Sequence, residues 1–332
     1  MRAPAPLLLV LLAGCSGVQT PLDPAGDQAA SIHSIWVLML WVCGFFYALV
    51  LGFLAWAAWR GRRRKPEGDP PVTVHDRRLE RTLAIWVGMI VAGLTLLITW
   101  SFIVDRSLAS TRDDEVMEVV VTGYQWWWRV EYLDGHPDQI VETANEIHLP
   151  ADRTVRLVLR SGDVIHSFWV PNLAGKVDMI PGRDNVLDIT PRREGVYRAQ
   201  CAEFCGFQHA HMALSVTVES QAEFDAWRAA QLQPAMTPAL PLAVRGKGVF
   251  ESNACAFCHR IGGTQANGRT APNLTHVASR PSIAAGMLET NPENISRWIA
   301  DPPGVKPGVR MPKVPLRPEE HEAIVAYLGS LK

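Results

Sequence analysis

The chain has no excess of either charge: 32 Lys and Arg stand against 33 Asp and Glu, a formal net charge of −1 over 332 residues. That balance removes the electrostatic footprint of a nucleic-acid-binding protein. Cysteine is scarce, six in all, which is too sparse for a small disulfide-stapled scaffold. Histidine is scarce as well, ten residues with little clustering. Charged residues, at 20%, are too many for a polytopic membrane protein, and hydrophobic residues, at 48%, are too many for a disordered one. A chain of this length is expected to hold two or three domains.

The cysteines that are present are placed informatively. Three residues separate Cys201 from Cys205, and two separate Cys255 from Cys258. Such pairs suit metal or haem chemistry as readily as disulfides. Cys15 closes a short export signal, residues 1–14, with Arg2 as the positive start and an apolar run over 7–12. Leu12-Ala13-Gly14-Cys15 resembles a bacterial lipobox, in which the cysteine is lipidated and becomes the mature N-terminus. An ordinary signal peptide with a chance cysteine is the alternative, and either one exports the N-terminus.

Within the segment 15–110, residues 35–59 and 83–104 carry no charge. Each run is long enough to cross a hydrocarbon core of about 30 Å as a helix. The loop between them holds Arg60, Arg62, Arg63, Arg64, Lys65, Arg77, Arg78 and Arg81. The positive-inside rule puts that loop in the cytoplasm, and so everything after Asp105 on the outer face. Trp36, Trp56, Trp59 and Trp100 lie toward the span ends, where interfacial aromatics sit. Cys43 lies inside the first span, where its expected role is packing.

From 111 to 220 the pattern changes to period two. Residues 117–121, 155–159, 186–189 and 214–218 read as strands, punctuated at Gly135, Pro150, Gly162, Pro181-Gly182 and Gly195. Short strands with such turns predict a β-sandwich or barrel. Two sources of ligands stand out in it. One is His166, followed by Ser167-Phe168-Trp169-Val170-Pro171; the other is the loop from Cys201 to Met212, which also carries Cys205, His209 and His211. Thiolate, imidazole and thioether together suit copper rather than Mg or Ca. A Cys201–Cys205 disulfide is the plain alternative, but it leaves His209 and Met212 unexplained. A thiolate has more than one lone pair, so the cysteine pair is able to bridge two metal ions. One His would cap each ion, with Met212 weakly bound on one side and a backbone carbonyl on the other. Such a site passes electrons and has no open position for substrate.

The motif Cys-x-Glu-x-Cys-x3-His-x2-Met, preceded by the His-Ser-Phe-Trp-Val-Pro segment, resembles the CuA site of cytochrome c oxidase subunit II. The resemblance covers roughly 25–220. It implies two helices followed by a cupredoxin-like Greek-key barrel. It implies that Cys201 and Cys205 bridge two coppers, that His166 and His209 cap them, that Met212 is axial and that the Glu203 carbonyl coordinates. The Glu203 side chain would approach a Mg²⁺ at the interface with subunit I, which Asp178 also faces. His211 is a rival to His209 in spacing, but the motif places the ligand four after Cys205. In Trp126-Trp127-Trp128 the resemblance makes Trp126 the residue through which electrons arrive, while the other two pack. Glu80 stands where the family has a glutamate near a proton-uptake route; the family's Trp-Thr shortly after it is Arg81-Thr82-Leu83 here, and a solvated loop charge is the other reading.

Residues 221–241 read as a polar helix with Phe224 and Trp227, then a linker marked by Pro234, Pro238 and Pro241. Residues 242–332 form a further unit, expected to be an all-α cytochrome c domain. Cys255-Ala256-Phe257-Cys258-His259 is the haem c attachment motif. Two thioethers fix the macrocycle and the next residue puts an imidazole under the iron. Met311, between Gly308 and Pro312, is the expected sixth ligand; Met287 is its rival, in a more helical context. Met/His ligation favours electron transfer over oxygen chemistry. The helix predicted over 318–331 is expected to cross the first helix of the unit at Gly246, Phe250 and Tyr327. Pro272 to His276 resembles the segment after the haem motif in cytochromes fused to subunit II, and His276 is expected to be structural.

The whole chain therefore resembles subunit II of a caa-type haem–copper cytochrome c oxidase. The resemblance implies two coppers, one covalent haem c and a Mg at the subunit I interface. Electrons would come from cytochrome c or a cytochrome bc complex and pass to subunit I, where oxygen is reduced with proton translocation. It implies subunit I and other oxidase subunits as partners, a bacterial cytoplasmic membrane with the C-terminal part on its outer face, and no nucleic acid. An exported Sco-type copper chaperone would need neither Met212 nor a haem domain. A nitrous oxide reductase would need a second, histidine-rich domain. A quinol oxidase subunit II would lack these copper ligands.

Overall fold

The computed structural model describes residues 17–63, 77–109, 116–133 and 136–332. The export signal 1–14, Cys15, and the loop cations Arg64 and Lys65 lie outside the described residues. The chain forms two compact units, one of residues 31–112 and one comprising the remainder.

The first unit is a pair of long apolar helices, α1 (Asp27–Arg63) and α2 (Arg77–Ala109). Both extend past the uncharged runs and are long and apolar enough to cross a membrane. They meet at Gly93, where a Cβ would stand 3.0 Å from the Phe46 ring. A small residue at such a contact lets helix backbones come together in lipid. The hydroxyls of Thr82 and Thr95 donate to the Arg78 and Val91 carbonyls one turn back, so neither is left unpaired in an apolar medium. At the end of α1, Arg63 lies 4.0 Å above the Trp59 ring and Arg60 5.5 Å from that of Trp56. These are the contacts of interfacial aromatics with snorkelling arginines. Cys43 departs from expectation. It is exposed on α1, because a two-helix hairpin covers only one stripe of each helix, so it is not a packing residue within this chain.

In the second unit ten strands build two facing five-stranded sheets. They are β1 (Met117–Tyr124), β2 (Trp127–Tyr132), β3 (Val141–Ala144), β4 (Glu146–Pro150), β5 (Val155–Ser161), β6 (His166–Trp169), β7 (Val177–Met179), β8 (Asn185–Ile189), β9 (Gly195–Cys201) and β10 (Ala213–Glu219). One sheet runs β3-β2-β1-β5-β8, the other β4-β10-β9-β6-β7. β1–β5 and β4–β10 are parallel and the other pairs antiparallel, so hairpin neighbours alternate with crossovers such as β1–β5, β4–β10 and β6–β9, as in the Greek-key barrel expected. Alternation drives the packing: along β2, Trp128, Val130 and Tyr132 are buried while Trp127, Arg129 and Glu131 face out. The chain changes sheets at Asn145, in the left-handed region with φ 60°, a conformation asparagine tolerates. Its side-chain oxygen accepts from the Trp128 N–H at 2.9 Å and fixes the corner. Residues 17–30 are laced to the same body: the Asn172 side chain bonds the Thr20 N–H and the Gly17 and Asp23 carbonyls.

α3 (Gln221–Gln231) starts at Ser220 in a reciprocal cap with Glu223. It lays Phe224 and Trp227 on the sandwich, Trp227 stacking on His148 at 4.1 Å. The C-terminal domain then contains α4 (Pro241–Ser252), α5 (Cys255–Cys258), a hairpin of β11 (Ser282–Ile283) and β12 (Leu288–Glu289), α6 (Pro292–Ala300), α7 (Pro302–Val305) and α8 (Pro318–Leu328). α4 crosses α8 at Gly246, where a Cβ would overlap the Ala323 carbonyl, and Phe250 meets Tyr327 edge to face at 6.0 Å. This is the contact expected from those residues. Ile261, Ile295, Ile299, Ile324 and Leu331 complete a small core.

Candidate metal centre and haem attachment site

His166 opens β6 and Cys201 closes β9; the two strands pair at Phe168 and Cys201. The β9–β10 loop then returns beneath them, held by the Cys201 N–H on the Met212 carbonyl and the Ala202 N–H on the Ser167 carbonyl. A non-repetitive loop is thereby pinned at both ends to the sandwich, which places five donor atoms on one spot. The Cys201 and Cys205 sulfurs are 3.6 Å apart, far beyond a disulfide bond of about 2.05 Å. The His166 Nδ1 is 3.8 Å from the Cys201 sulfur, and the His209 Nδ1 is 3.7 Å and the Met212 sulfur 3.9 Å from that of Cys205. The Glu203 carbonyl is 3.1 Å from the Cys201 sulfur. His166 and Met212 are fully buried, and both cysteines nearly so.

The electrostatics match a thiolate site. A hydrogen bond from Cys205 holds the Cys201 thiol well below its ordinary value against its burial, with His166 assisting. Cys205, beside that thiolate, is pushed up. A bound cation favours the thiolate form of such a pair. Burial opposes a charged His166, but the Asp163 carboxylate and the Cys201 sulfur outweigh it and raise its pKa. Asp163 takes the Nε2–H at 2.9 Å, which leaves Nδ1 as the ligand atom facing sulfur. The donors fit a soft metal: two sulfurs this close are both reachable by one ion at the usual thiolate–metal length of about 2.3 Å. His211 lies elsewhere. It is exposed and its Nδ1 donates to the Gln208 side chain at 2.9 Å.

The aromatic run divides three ways. Trp128 is buried in the core, edge-on to Phe168 at 5.9 Å. Trp127 stacks on Tyr124 at 4.8 Å. Trp126 donates its indole N–H to the Cys205 carbonyl at 3.0 Å, and the Gln125 amide joins it at 2.8 Å. Trp126 is only 6% exposed. The surface through which the resemblance brings electrons to it is covered by the C-terminal domain: a Cβ on Gly308 would stand 3.2 Å from its ring.

Glu203 and Asp178 flank one ammonium, Lys176 Nζ, at 3.9 and 3.6 Å, all about half exposed. Glu80 is exposed in the first turn of α2. In the C-terminal domain α5 sets both cysteines of the haem motif on one turn, and the His259 Nδ1–H donates to the Pro272 carbonyl at 2.7 Å. That bond leaves Nε2 as the lone-pair nitrogen. Burial lowers the His259 pKa, the Pro272 bond opposing and the Arg280 charge assisting, so the ring is neutral, as a ligand must be. Met311 lies part-buried in the loop between α7 and α8. Met287 is not in a helix: it leads into β12 of the two-residue hairpin. His276 bridges the Lys332 and Gln233 carbonyls at 3.2 and 3.1 Å. Two residues at the site have no motif signal, Asp163 and Lys306. Asp163 shows only its spacing of three before His166. Lys306, buried beneath Trp126, has nothing in its neighbourhood to mark it.

Known proteins show the same two parts. Residues 133–219 match the family described as cytochrome c oxidase subunit II, periplasmic domain, and residues 243–332 match cytochrome c. Cytochrome c oxidase subunit 2 of Alkalihalophilus pseudofirmus is 34% identical over 99% of this chain and 96% of its own length. That of Bacillus subtilis is 31% identical over 98% and 96%. The periplasmic domain of cytochrome oxidase subunit II from Bradyrhizobium japonicum, a crystal structure, is 29% identical over 36% of this chain and 94% of its own, with a TM-score of 0.33. The near-full-length relatives and the two matched domains make this chain a member of the cytochrome c oxidase subunit II family, a membrane-anchored oxidase subunit with a copper domain and a fused haem c domain.

Proposed function

We propose that this subunit conducts electrons through two centres in series. One is a dinuclear copper centre held by His166, Cys201, the Glu203 carbonyl, Cys205, His209 and Met212. The other is a single haem c held by Cys255, Cys258, His259 and Met311. The copper and haem groups that these residues would hold would both supply one-electron chemistry. The chain's own residues do the rest. The paired sulfurs are fixed by backbone bonds to Ser167 of β6 and to Met212 just before β10, so a change of charge moves few atoms. Asp163 orients His166, burial keeps water from the sulfurs, and the Trp126–Cys205 hydrogen bond joins the aromatic face to a ligand backbone.

The observation that carries this reading is the convergence of two unbonded sulfurs, two ring nitrogens and a thioether in one cluster, all but His209 buried. Metal and haem analysis of the full-length protein tests it. Two coppers and one covalent haem per chain are expected, with copper lost and haem retained in Cys201→Ser. One copper per chain, or haem lost along with copper in that variant, contradicts it.

Around this core the reading assigns further roles. Electrons pass to subunit I, which reduces oxygen and translocates protons. Glu203 and Asp178, with Lys176 between them, would face subunit I, and their carboxylates would help to hold a Mg²⁺ at that interface. The arginines beside α1 and α2 hold their loop on the cytoplasmic side of a bacterial inner membrane, leaving both redox domains on the outer face. Glu80 contributes to proton uptake, and Cys15 is lipidated. Cytochrome c or a cytochrome bc complex is the donor.

A further inference from the structure

Lysine is rarely buried, because its ammonium loses hydration it must recover from the protein. Lys306, just past α7, is 1% exposed. Its ammonium donates to three carbonyls, Trp126 at 2.9 Å, His211 at 2.8 Å and Ala284 at 2.9 Å. An ammonium has three N–H donors, and all three are used. Two acceptors belong to the copper domain and flank its candidate site: Trp126 is bonded to the Cys205 carbonyl, and His211 precedes Met212. The third belongs to the β11–β12 turn of the haem domain.

That turn is itself unusual. Ala284 and Ala285 adopt φ of 54° and 59°, a region costly for residues with a Cβ. The cost is met by contacts across the domain boundary: Ala284 offers its carbonyl to Lys306, and Ala285 accepts the Ala213 N–H at 3.0 Å. Next to Lys306, the Pro307 carbonyl accepts from the Gln208 side chain at 2.8 Å, and Gly308, at φ 87°, lies against the Trp126 ring. A buried ion pair, Arg280–Glu146 at 3.4 Å, joins the domains at a second place.

We propose that Lys306 is a positioning residue, a buried clasp that fixes the haem domain on the copper domain and holds the 306–311 loop against Trp126. The clasp encloses Trp126 beneath the chain's own C-terminal domain, so an outside donor meets the haem domain and not the tryptophan. The clasp stands on geometry alone. Its consequence for electron flow rests on the function proposed above.

The test compares full-length protein with Lys306→Met, which keeps the length of the side chain and removes the donors. Hydroxyl-radical footprinting read by mass spectrometry follows Trp126, with core Trp128 as internal control. Amide exchange follows Ala213. The Ala213 N–H bonds the Ala285 carbonyl in the turn that Lys306 holds, so its exchange is expected to rise by roughly tenfold or more when the charged hydrogen bonds are lost. Trp126 oxidation is expected to rise several-fold while Trp128 stays protected. Unchanged Trp126 and Ala213 signals overturn the clasp. Should Lys306→Met expose Trp128 too, Lys306→Arg decides. That variant keeps the charge but cannot seat a planar guanidinium among three carbonyls. Opening at Trp126 alone supports the clasp, and loss of Trp128 protection there as well reduces Lys306 to a general stability role and refutes it. Neither readout needs copper or haem turnover, so failure here is distinguishable from failure of the electron-transfer reading.

Discussion

Asp163→Asn is the substitution whose effect follows most directly from the geometry. The carboxylate is saturated: one oxygen accepts from His166 Nε2 at 2.9 Å and the Val164 N–H at 2.8 Å, the other from the Gln125 N–H at 2.8 Å. Arg310 of the haem domain stands 3.4 Å from that second oxygen. Asparagine has the same shape but only one acceptor atom. Whichever way the amide turns, its NH2 opposes a backbone donor, and the negative charge beside His166 is gone. Losing one charge-assisted bond costs about 1.5–3 kcal/mol. Carboxylate partners of metal-bound histidines are worth about 10–100-fold in affinity, the same range expressed as a ratio. Copper competition against a chelator, on the full-length protein near neutral pH, is the assay. A loss of roughly tenfold or more is expected for Asp163→Asn. None is expected for Asp184→Asn, which removes an exposed ion pair with Arg160 worth at most about 1 kcal/mol. Equal copper affinity in wild type and Asp163→Asn would refute the claim that this carboxylate orients a metal ligand.

Met311→Leu should change the absorption spectrum of the haem, and Met287→Leu should not; the reverse pattern would assign the sixth ligand to Met287. Gly246→Ala drives a methyl into the Ala323 carbonyl. Overpacking of this kind costs about 1–3 kcal/mol, so the C-terminal domain should melt lower by roughly 4 °C or more, and an unaltered melt would show that α4 and α8 are further apart. Glu219 is held up at about 7 by burial, with the Glu223 charge adding. A carboxyl with a raised folded pKa binds its proton more tightly in the folded state, and the stability it contributes is lost as pH rises through about 7. Glu219→Gln should therefore gain on wild type between pH 5 and pH 8 in denaturant midpoints; a constant difference would place Glu219 in water.

Spacing in the sequence reveals whatever a single segment decides. The charge-free runs mark the two helices, alternation marks the strands, and four of the five side chains proposed to hold copper lie within a dozen residues of one loop. Gly246, Phe250 and Tyr327 are legible because helix crossing needs a small residue beside large ones. What escaped belongs to long-range contact. The surroundings of Met287 look helical, yet Ala284 and Ala285 just before it are left-handed, held there by Lys306 and Ala213; tertiary contacts override a propensity worth well under about 1 kcal/mol per residue. The covering of Trp126 escaped for the same reason, since the loop that covers it lies some 180 positions away in the chain. Cys43 illustrates the converse limit: an apolar setting in sequence does not say which face of a helix is covered.

The central claim is that the two sulfurs of Cys201 and Cys205 bind two copper ions as one redox unit. Electron paramagnetic resonance of the partly oxidised full-length protein tests it most directly. The account predicts hyperfine splitting shared equally by two copper nuclei, present in wild type and abolished in Cys205→Ser. A spectrum of isolated single-copper sites, or the shared splitting surviving in that variant, would contradict it.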